Sequence, residues 1–355
     1  MNRVSSRSQV FMLFADCIPV KGAQRATICD VGRGKLYIIP QSMYYFIEEF
    51  EGHSLHQLMD LVDKNNREIL EEYINCLEDN ELIFWCNEEE TKLFPKMKKK
   101  WASPSLISNA IIEFNHNYTY DIAMIELNEL GCSYFQLRLG SIDLDVIACF
   151  TQFLAKLIQH CPNLNMFEVL LPHHSEVMDE MFLNSINKYV QLRCVTFYNH
   201  TIDLQTTVDS LCIKHRVDNL NNSQEKSAVS FSSFFLNSEF FFESRLRNPY
   251  YNGKVTIDIE GNIKNTINDM ESFGNICSDT IISAINKPHF KTLWYSSKDQ
   301  IEGCQNCEFR YICFDTRPIV FDQINNIYKS TTPCNYDPYT ARWNLSTLKS
   351  HSELV

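Results

Sequence analysis

The sequence predicts a multi-domain α/β protein, and three observations predict it. Strand-like and helix-like stretches alternate between Leu106 and Asn199, the stretch before Glu90 reads as short strands followed by three small helices, and the end of the chain carries closely spaced cysteines. A chain of 355 residues exceeds what one core comfortably serves. The expected domains are residues 1-95, 100-245 and 246-355.

Apolar residues make up 45% and charged residues 21% of the chain, enough to bury globular cores. A formal charge of −12 argues against nucleic acid and anionic membrane surfaces as partners, because phosphate contacts need a basic face. No run of eighteen apolar residues occurs, and "MNRVSSRSQVFMLFADC" lacks the pattern of a leader, so a cytoplasmic location is expected. There are 14 cysteines, and isolated ones such as Cys76, Cys149 and Cys194 read as small buried hydrophobes of a reducing compartment.

In chain order, "QVFMLFA", "RATICDV" and "KLYIIP" read as three antiparallel strands, with Gly32 to Gly34 turning between the last two. Pro40 opens a helix over "SMYYFIEEF", Ser54 caps "SLHQLMDLV", and Asn66 starts a third helix. On that third helix Ile69, Leu70, Tyr73, Ile74 and Leu77 share a face, with Glu68, Glu71, Glu72, Glu78 and Asp79 largely elsewhere. "ELIFWC" returns as a strand. Strands, three helices and a wing make a winged-helix-like α+β domain, but its acidic third helix makes DNA an unsuitable partner. Lys98, Lys99 and Lys100 lie in a solvated connector.

The strands "AIIEFN", "YFQLRLG", "MFEVLLP" and "RCVTFYN" then alternate with helices around "DIAMIELNEL", "LDVIACFTQFLAKLIQHC" and "EVMDEMFLNSINKYV". Four βα units predict a parallel sheet, half of a barrel or a small open sheet. Beyond Leu204, "SFSSFFLNSEFFF" fits a strand or two and "DNLNNSQEKS" a loop. "KVTIDIEGNIKNT" is a hairpin turning at Glu260, Gly261 and Asn262; Ser278 or Asp279 caps a following helix; "ARWNLSTLKSHSELV" reads as a short helix and a tail.

The chemistry concentrates in "GCQNCEFRYICFDTR" and "TTPCNYDPY". Two residues separate Cys304 from Cys307, five separate Cys307 from Cys313, and Cys334 completes a set of four thiolates. Such a set suits Zn²⁺ or an iron–sulfur cluster, and the spacing alone leaves the two equal. Either metal would organise a loop-rich segment with little apolar area of its own. The phosphate-cradling Gly-x-x-x-x-Gly-Lys-Ser/Thr loop and the Gly-x-Ser-x-Gly elbow are missing, and the adjacent His173 and His174 would face opposite ways in a strand.

Taken together, "GNIKNT", "SFGNI", "KDQIEGCQNCEFRYICFDTR" and "CNYDPY", with "GAQRATICDVGRGKLYIIP" at the front, resemble the SPASM-domain peptide maturases of grasp-with-spasm systems, relatives of radical-SAM peptide-modifying enzymes. The resemblance implies a partial radical-SAM-like (βα) barrel at 100-245 and a SPASM-like iron–sulfur domain at 246-355 that binds one [4Fe-4S] cluster through Cys304, Cys307, Cys313 and Cys334. It favours that cluster over zinc. The cysteines of a second cluster are replaced by Tyr or Asn in "NPYYNGK", by Thr266 and by Thr316. The radical-SAM Cys-x3-Cys-x2-Cys loop is also absent, since "HNYTYD" follows the first barrel strand and "LRLGSID" the second. S-adenosylmethionine chemistry is therefore not expected.

Residues 1-95 are similar to the peptide-recognition element of ribosomal-peptide biosynthesis. That resemblance implies that a leader peptide adds as a strand along Lys35, Leu36, Tyr37, Ile38 and Ile39 and packs on Ile69, Leu70 and Tyr73. The implied partners are a precursor peptide and an ATP-grasp ligase. The expected function is that of a maturase or accessory protein in peptide maturation, with an active iron–sulfur redox or radical-SAM-type enzyme as the alternative.

Overall fold

Proline at position 19 hides a strand. In a computed structural model, which describes residues 9–98, 100–220 and 229–344, β1 (Val10–Leu13) does not join the N-terminal three-stranded sheet. That sheet is formed by β2 (Cys17–Lys21), β3 (Arg25–Asp30) and β4 (Lys35–Pro40), antiparallel and in that order. "QVFMLFA" thus supplies no strand to this sheet, and the unforeseen "CIPVK" takes its place. Proline weakens a strand signal because it lacks an N–H, yet Pro19 lies on the outer strand β2, which pairs on one side only. Gly34, at a φ of +67°, makes the expected turn into β4.

Three helices follow as the periodicity predicts: α1 (Gln41–Phe50), α2 (Leu55–Leu61) and α3 (Arg67–Asp79). Ser54 accepts from Gln57 N at 3.3 Å and Gln57 Oε1 accepts from Ser54 N at 2.7 Å, a reciprocal cap. Leu70, Ile74 and Leu77 of α3 enter a core with Phe11, Ile28, Ile47 and Leu58. The returning strand β5 (Ile83–Cys86) pairs antiparallel with β1.

The chain is a mixed α/β protein with one large mixed sheet of eight strands and several two- or three-stranded sheets. The parallel centre is β6 (Asn109–Glu113), β7 (Tyr134–Arg138), β8 (Met166–Pro172) and β9 (Leu192–Tyr198), each hydrogen-bonded to the next. Between them run α4 (Asp121–Glu129), α5 (Leu144–His160) and α6 (Glu176–Ile186). The hairpin of β10 (Leu204–Val208) and β11 (Leu211–His215) extends one edge, with β11 parallel to β9.

"SFSSFFLNSEFFF" supplies no sheet strand: Phe234 makes an isolated antiparallel bridge to Cys313, and the end of the stretch is helical. A 3₁₀ turn at Phe231–Ser233 leads to α7 (Ser238–Leu246). Asn237 Oδ1 accepts from Phe240 N at 2.8 Å and so caps the helix, which buries Phe241 and Phe242. β12 (Lys254–Ile257) and β13 (Ile263–Lys264) form the expected hairpin, but β12 also pairs parallel with β6 and closes the sheet order β10-β11-β9-β8-β7-β6-β12-β13. One set of alternating side chains, including Ala110, Ile112, Phe135, Leu137, Phe167 and Val169, is buried and apolar. The other set carries Gln136, Arg138 and Glu168, linked by Arg138 Nε to Gln136 Oε1 at 2.8 Å and Gln136 Nε2 to Glu168 Oε1 at 2.7 Å.

The cap of α8 (Ile281–Ile285) is Thr280, whose Oγ1 accepts from Ser283 N at 3.1 Å. Neither Ser278 nor Asp279 caps it, because Asp279 Oδ2 instead accepts from Asn275 N at 3.1 Å and Ser278 Oγ at 2.9 Å in the preceding turn. Two short hairpins follow: β14 (Ile319–Asp322) with β15 (Ile327–Ser330), and β16 (Tyr336–Asp337) with β17 (Arg342–Trp343). Of "ARWNLSTLKSHSELV", expected as a short helix and a tail, Arg342–Trp343 form a strand, while residues 345–355, Lys99 and most of the "DNLNNSQEKS" loop lie outside the described residues.

Contacts group the chain into two units made of non-consecutive stretches. One comprises Met1–Trp101, Ala228–Arg247 and Ser296–Val355, the other Ala102–Ser227 and Asn248–Tyr295. The segments 1-95, 100-245 and 246-355 are distributed over these two. Among the described residues, no helix is long and apolar enough to cross a membrane.

Candidate metal centre

The cysteine loop is held against β2 and β3 by hydrogen bonds across nearly the whole sequence. Ala23 N donates to Asn306 O at 2.7 Å, Arg310 Nη1 to Lys21 O at 2.6 Å, and Thr27 Oγ1 to Glu308 O at 3.0 Å. The Glu308 carboxylate, fully buried, pairs with Arg25 Nε at 2.6 Å and accepts from the Tyr336 hydroxyl. Gly303, at a φ of +76°, reverses the chain into a 3₁₀ turn at Cys304–Asn306 that presents Cys304 and Cys307. Cys313 lies six residues beyond Cys307, and Cys334 lies between β15 and β16.

All four sulfur-bearing residues line one cavity of about 370 Å³, together with Lys298, Asp315 and Arg317. Among the described residues, no three of these sulfurs lie mutually within 4.8 Å. Two thiolates on one tetrahedral zinc, with bonds of about 2.3 Å, would lie only about 3.8 Å apart. The Phe309 amide donates to the Cys307 sulfur, and Tyr336 N lies 3.5 Å from Cys334 Sγ.

Burial pushes the thiols of Cys304 and Cys307 up and that of Cys313 to about 12, while Lys298 pulls Cys304 and Cys313 the other way. Lys298 Nζ lies 3.1 Å from Asp315 Oδ2, and Arg317 holds the same carboxylate through Nε at 2.9 Å and Nη2 at 2.7 Å. Burial opposes the charge on each, but the mutual pairing outweighs it, so Lys298 and Arg317 stay protonated and Asp315 falls below the usual carboxylate range. Two cations and one carboxylate leave one net positive charge beside Cys304 and Cys313, which offsets part of the upward push of burial there. Sequence reading singled out none of these three charged residues. Lysine, arginine and aspartate are usually exposed, and only folding reveals that Lys298 is 2% exposed.

A second group, Asp16, Cys17 and Asp30, has ligand atoms mutually within 4.8 Å. Arg33 pairs with one of its two carboxylates, with Nε on Asp30 Oδ2 and Nη2 4.0 Å from Cys17 Sγ. Burial, followed by Asp30 and Asp16, pushes the Cys17 thiol up to about 12. This is an ion-paired knot beside a turn.

Along β4, one edge pairs with β3 and no strand among the described residues pairs with the other. Lys35 is exposed and Ile38 is 51% exposed, whereas Leu36 and Tyr37 are half-buried and Ile39 lies in the core. On α3, Ile69 is 44% exposed, Leu70 is a core residue at 2%, and the half-buried Tyr73 shares a 2.6 Å hydrogen bond with Ser42 Oγ. Ile39 and Leu70 are thus core residues, while Lys35, Leu36, Tyr37, Ile38, Ile69 and Tyr73 keep some exposed surface. Set against known proteins, the chain matches no family model, and no curated protein matches it.

Proposed function

We propose that this chain is a SPASM-like maturase or accessory protein of ribosomally synthesised peptide maturation. In this reading it holds one [4Fe-4S] cluster on Cys304, Cys307, Cys313 and Cys334, takes up a precursor's leader, and works with an ATP-grasp ligase in the cytoplasm. β2–β4 with α1–α3 serve as the winged-helix-like recognition domain. β6–β9 and their helices correspond to a partial barrel, and the cysteine loop to the SPASM-like segment.

The observation that carries this reading is the convergence of the four cysteines on one cavity. The resemblance of the cysteine segment to SPASM domains favours a cluster over zinc. When bound, the cluster supplies an electron-carrying or peptide-gripping centre. The chain's own residues hold the thiolates, with Lys298 and Arg317 offsetting their charge and two backbone amides directed at the sulfurs. The free edge of β4, flanked by the exposed Ile38, suits strand addition, in which backbone hydrogen bonds provide affinity and side-chain pockets selectivity. The stretch after β6 offers no cysteine, which favours an accessory role over radical chemistry.

Iron and acid-labile sulfide analysis of anaerobically purified protein tests the proposal. Iron and sulfide are expected in equal amounts and are lost in Cys307→Ala. Zinc in their place would remove the cluster, and cleavage of added S-adenosylmethionine would overturn the accessory role.

A further inference from the structure

His173 and His174 attract little notice as neighbours in sequence, but folding gives His173 two distant companions. His173 follows β8, His200 follows β9 and His215 ends β11. The sheet order β11-β9-β8 therefore places three imidazoles at the carboxyl ends of adjacent parallel strands, where open α/β sheets gather ligands. Their backbones are tied together beyond the strand ends, His173 N donating to Tyr198 O at 2.7 Å and His200 N to Arg216 O at 2.8 Å. The rings form a row, with centroids 4.6 Å apart from His173 to His200 and again 4.6 Å from His200 to His215.

Those separations match imidazoles sharing an ion. With metal–nitrogen bonds of about 2.0–2.1 Å and the centroid about 1.1 Å further out, two ligands at right to tetrahedral angles have centroids about 4.5–5.2 Å apart. His173 Nδ1 lies 2.7 Å from Asp179 Oδ2, and Asp179 Oδ1 also accepts from His174 N at 3.3 Å. With Nδ1–H donating to the carboxylate, the lone pair of the neutral ring lies on Nε2, as in metal-bound histidines. His215 Nδ1 is buried without a hydrogen-bond partner, and His200 Nδ1 lies 3.3 Å from Ile202 O and 3.2 Å from Ile202 N. All three side chains are half-buried, so an ion can reach them from solvent.

We infer that His173, His200 and His215 form a binding site for a first-row divalent transition-metal ion, with Asp179 as the residue that positions His173. Imidazole sets suit nickel, copper, cobalt and zinc. The three nitrogens are not yet gathered mutually within 4.8 Å, so the ion engages His200 with one neighbour and draws in the third by side-chain rotation. The site stands apart from the thiols in sequence and ligand chemistry, and it does not rest on the proposed cluster.

The test is equilibrium dialysis of the full, untagged chain against Ni²⁺, combined with X-ray absorption at the nickel edge, which distinguishes nitrogen from sulfur ligands. One Ni²⁺ per chain with an imidazole shell is expected. Binding should be lost in His200→Ala, weakened about 10–100-fold in Asp179→Asn, and unchanged in His116→Ala, whose side chain is exposed elsewhere. His173→Gln provides a second ligand variant should His200→Ala lose its native circular dichroism. A sulfur shell, or wild-type binding by folded His200→Ala and His173→Gln proteins, would overturn the site.

Discussion

Asp258 stands at the head of the turn between β12 and β13. Its Oδ1 accepts from Glu260 N at 3.0 Å and Asn262 N at 2.8 Å, while Lys264 Nζ lies 2.8 Å from Oδ2. Burial raises the carboxyl pKa, but Lys264 and Asn262 outweigh it and hold the group below its ordinary value. A carboxylate with a depressed folded pKa contributes stability that is present above its unfolded value of about 3.9 and is lost as pH falls through the folded value. Asp258→Asn is therefore expected to cost about 1–3 kcal/mol at neutral pH, with a smaller deficit near pH 3. Urea unfolding at the two pH values checks this, and an equal deficit at both would show that charge is not the cause. The sequence revealed the turn through Gly261, whose φ is +77°, but not the Asp258–Lys264 pair, because side-chain partners depend on how the hairpin closes.

At the scale of elements, α3 separates core from surface within two adjacent residues. Leu70 packs with Ile28, Ile47 and Leu77, whereas Ile69 is 44% exposed. Leu70→Ala is expected to destabilise the chain by about 2–5 kcal/mol through lost burial and a residual cavity, and Ile69→Ala by no more than about 0.5 kcal/mol. Denaturant midpoints of the two variants measure the difference, and comparable losses would mean that Ile69 is not available to a docking strand. Helices with caps and full periodicity, such as α2 with Ser54 and Gln57, were legible because both signals lie within one turn of chain. β2 was not, since Pro19 contradicts the strand pattern until the outer position of β2 is known. The Phe-rich run before α7 was misread because a short apolar run fits either period, and the Asn237 cap decides between them.

Across the whole molecule, the pairing least visible in sequence is the one that joins the cysteine loop to β2 and β3. Arg25 and Glu308 are 283 positions apart, yet their ion pair is 2.6 Å long, and Thr27 meets the Glu308 carbonyl nearby. Local patterns identify a strand and a thiol loop separately, while their union depends on long-range packing that no short window contains. The thiol spacing was legible because Cys304 and Cys307 lie within one loop; the Lys298–Asp315–Arg317 set was not, because its burial is a product of that packing. On the proposed cluster, binding and local folding are linked, so the metal should stabilise the unit that supplies its ligands. Hydrogen exchange can resolve such regional stability. In Cys307→Ala, amides of β2–β4 and of residues 304–313 are expected to lose protection, while those of β6, β7 and β8, which belong to the other unit, keep theirs. Equal loss in both units would mean that they unfold as one block. Unchanged protection throughout would mean that no metal on these sulfurs supports the fold.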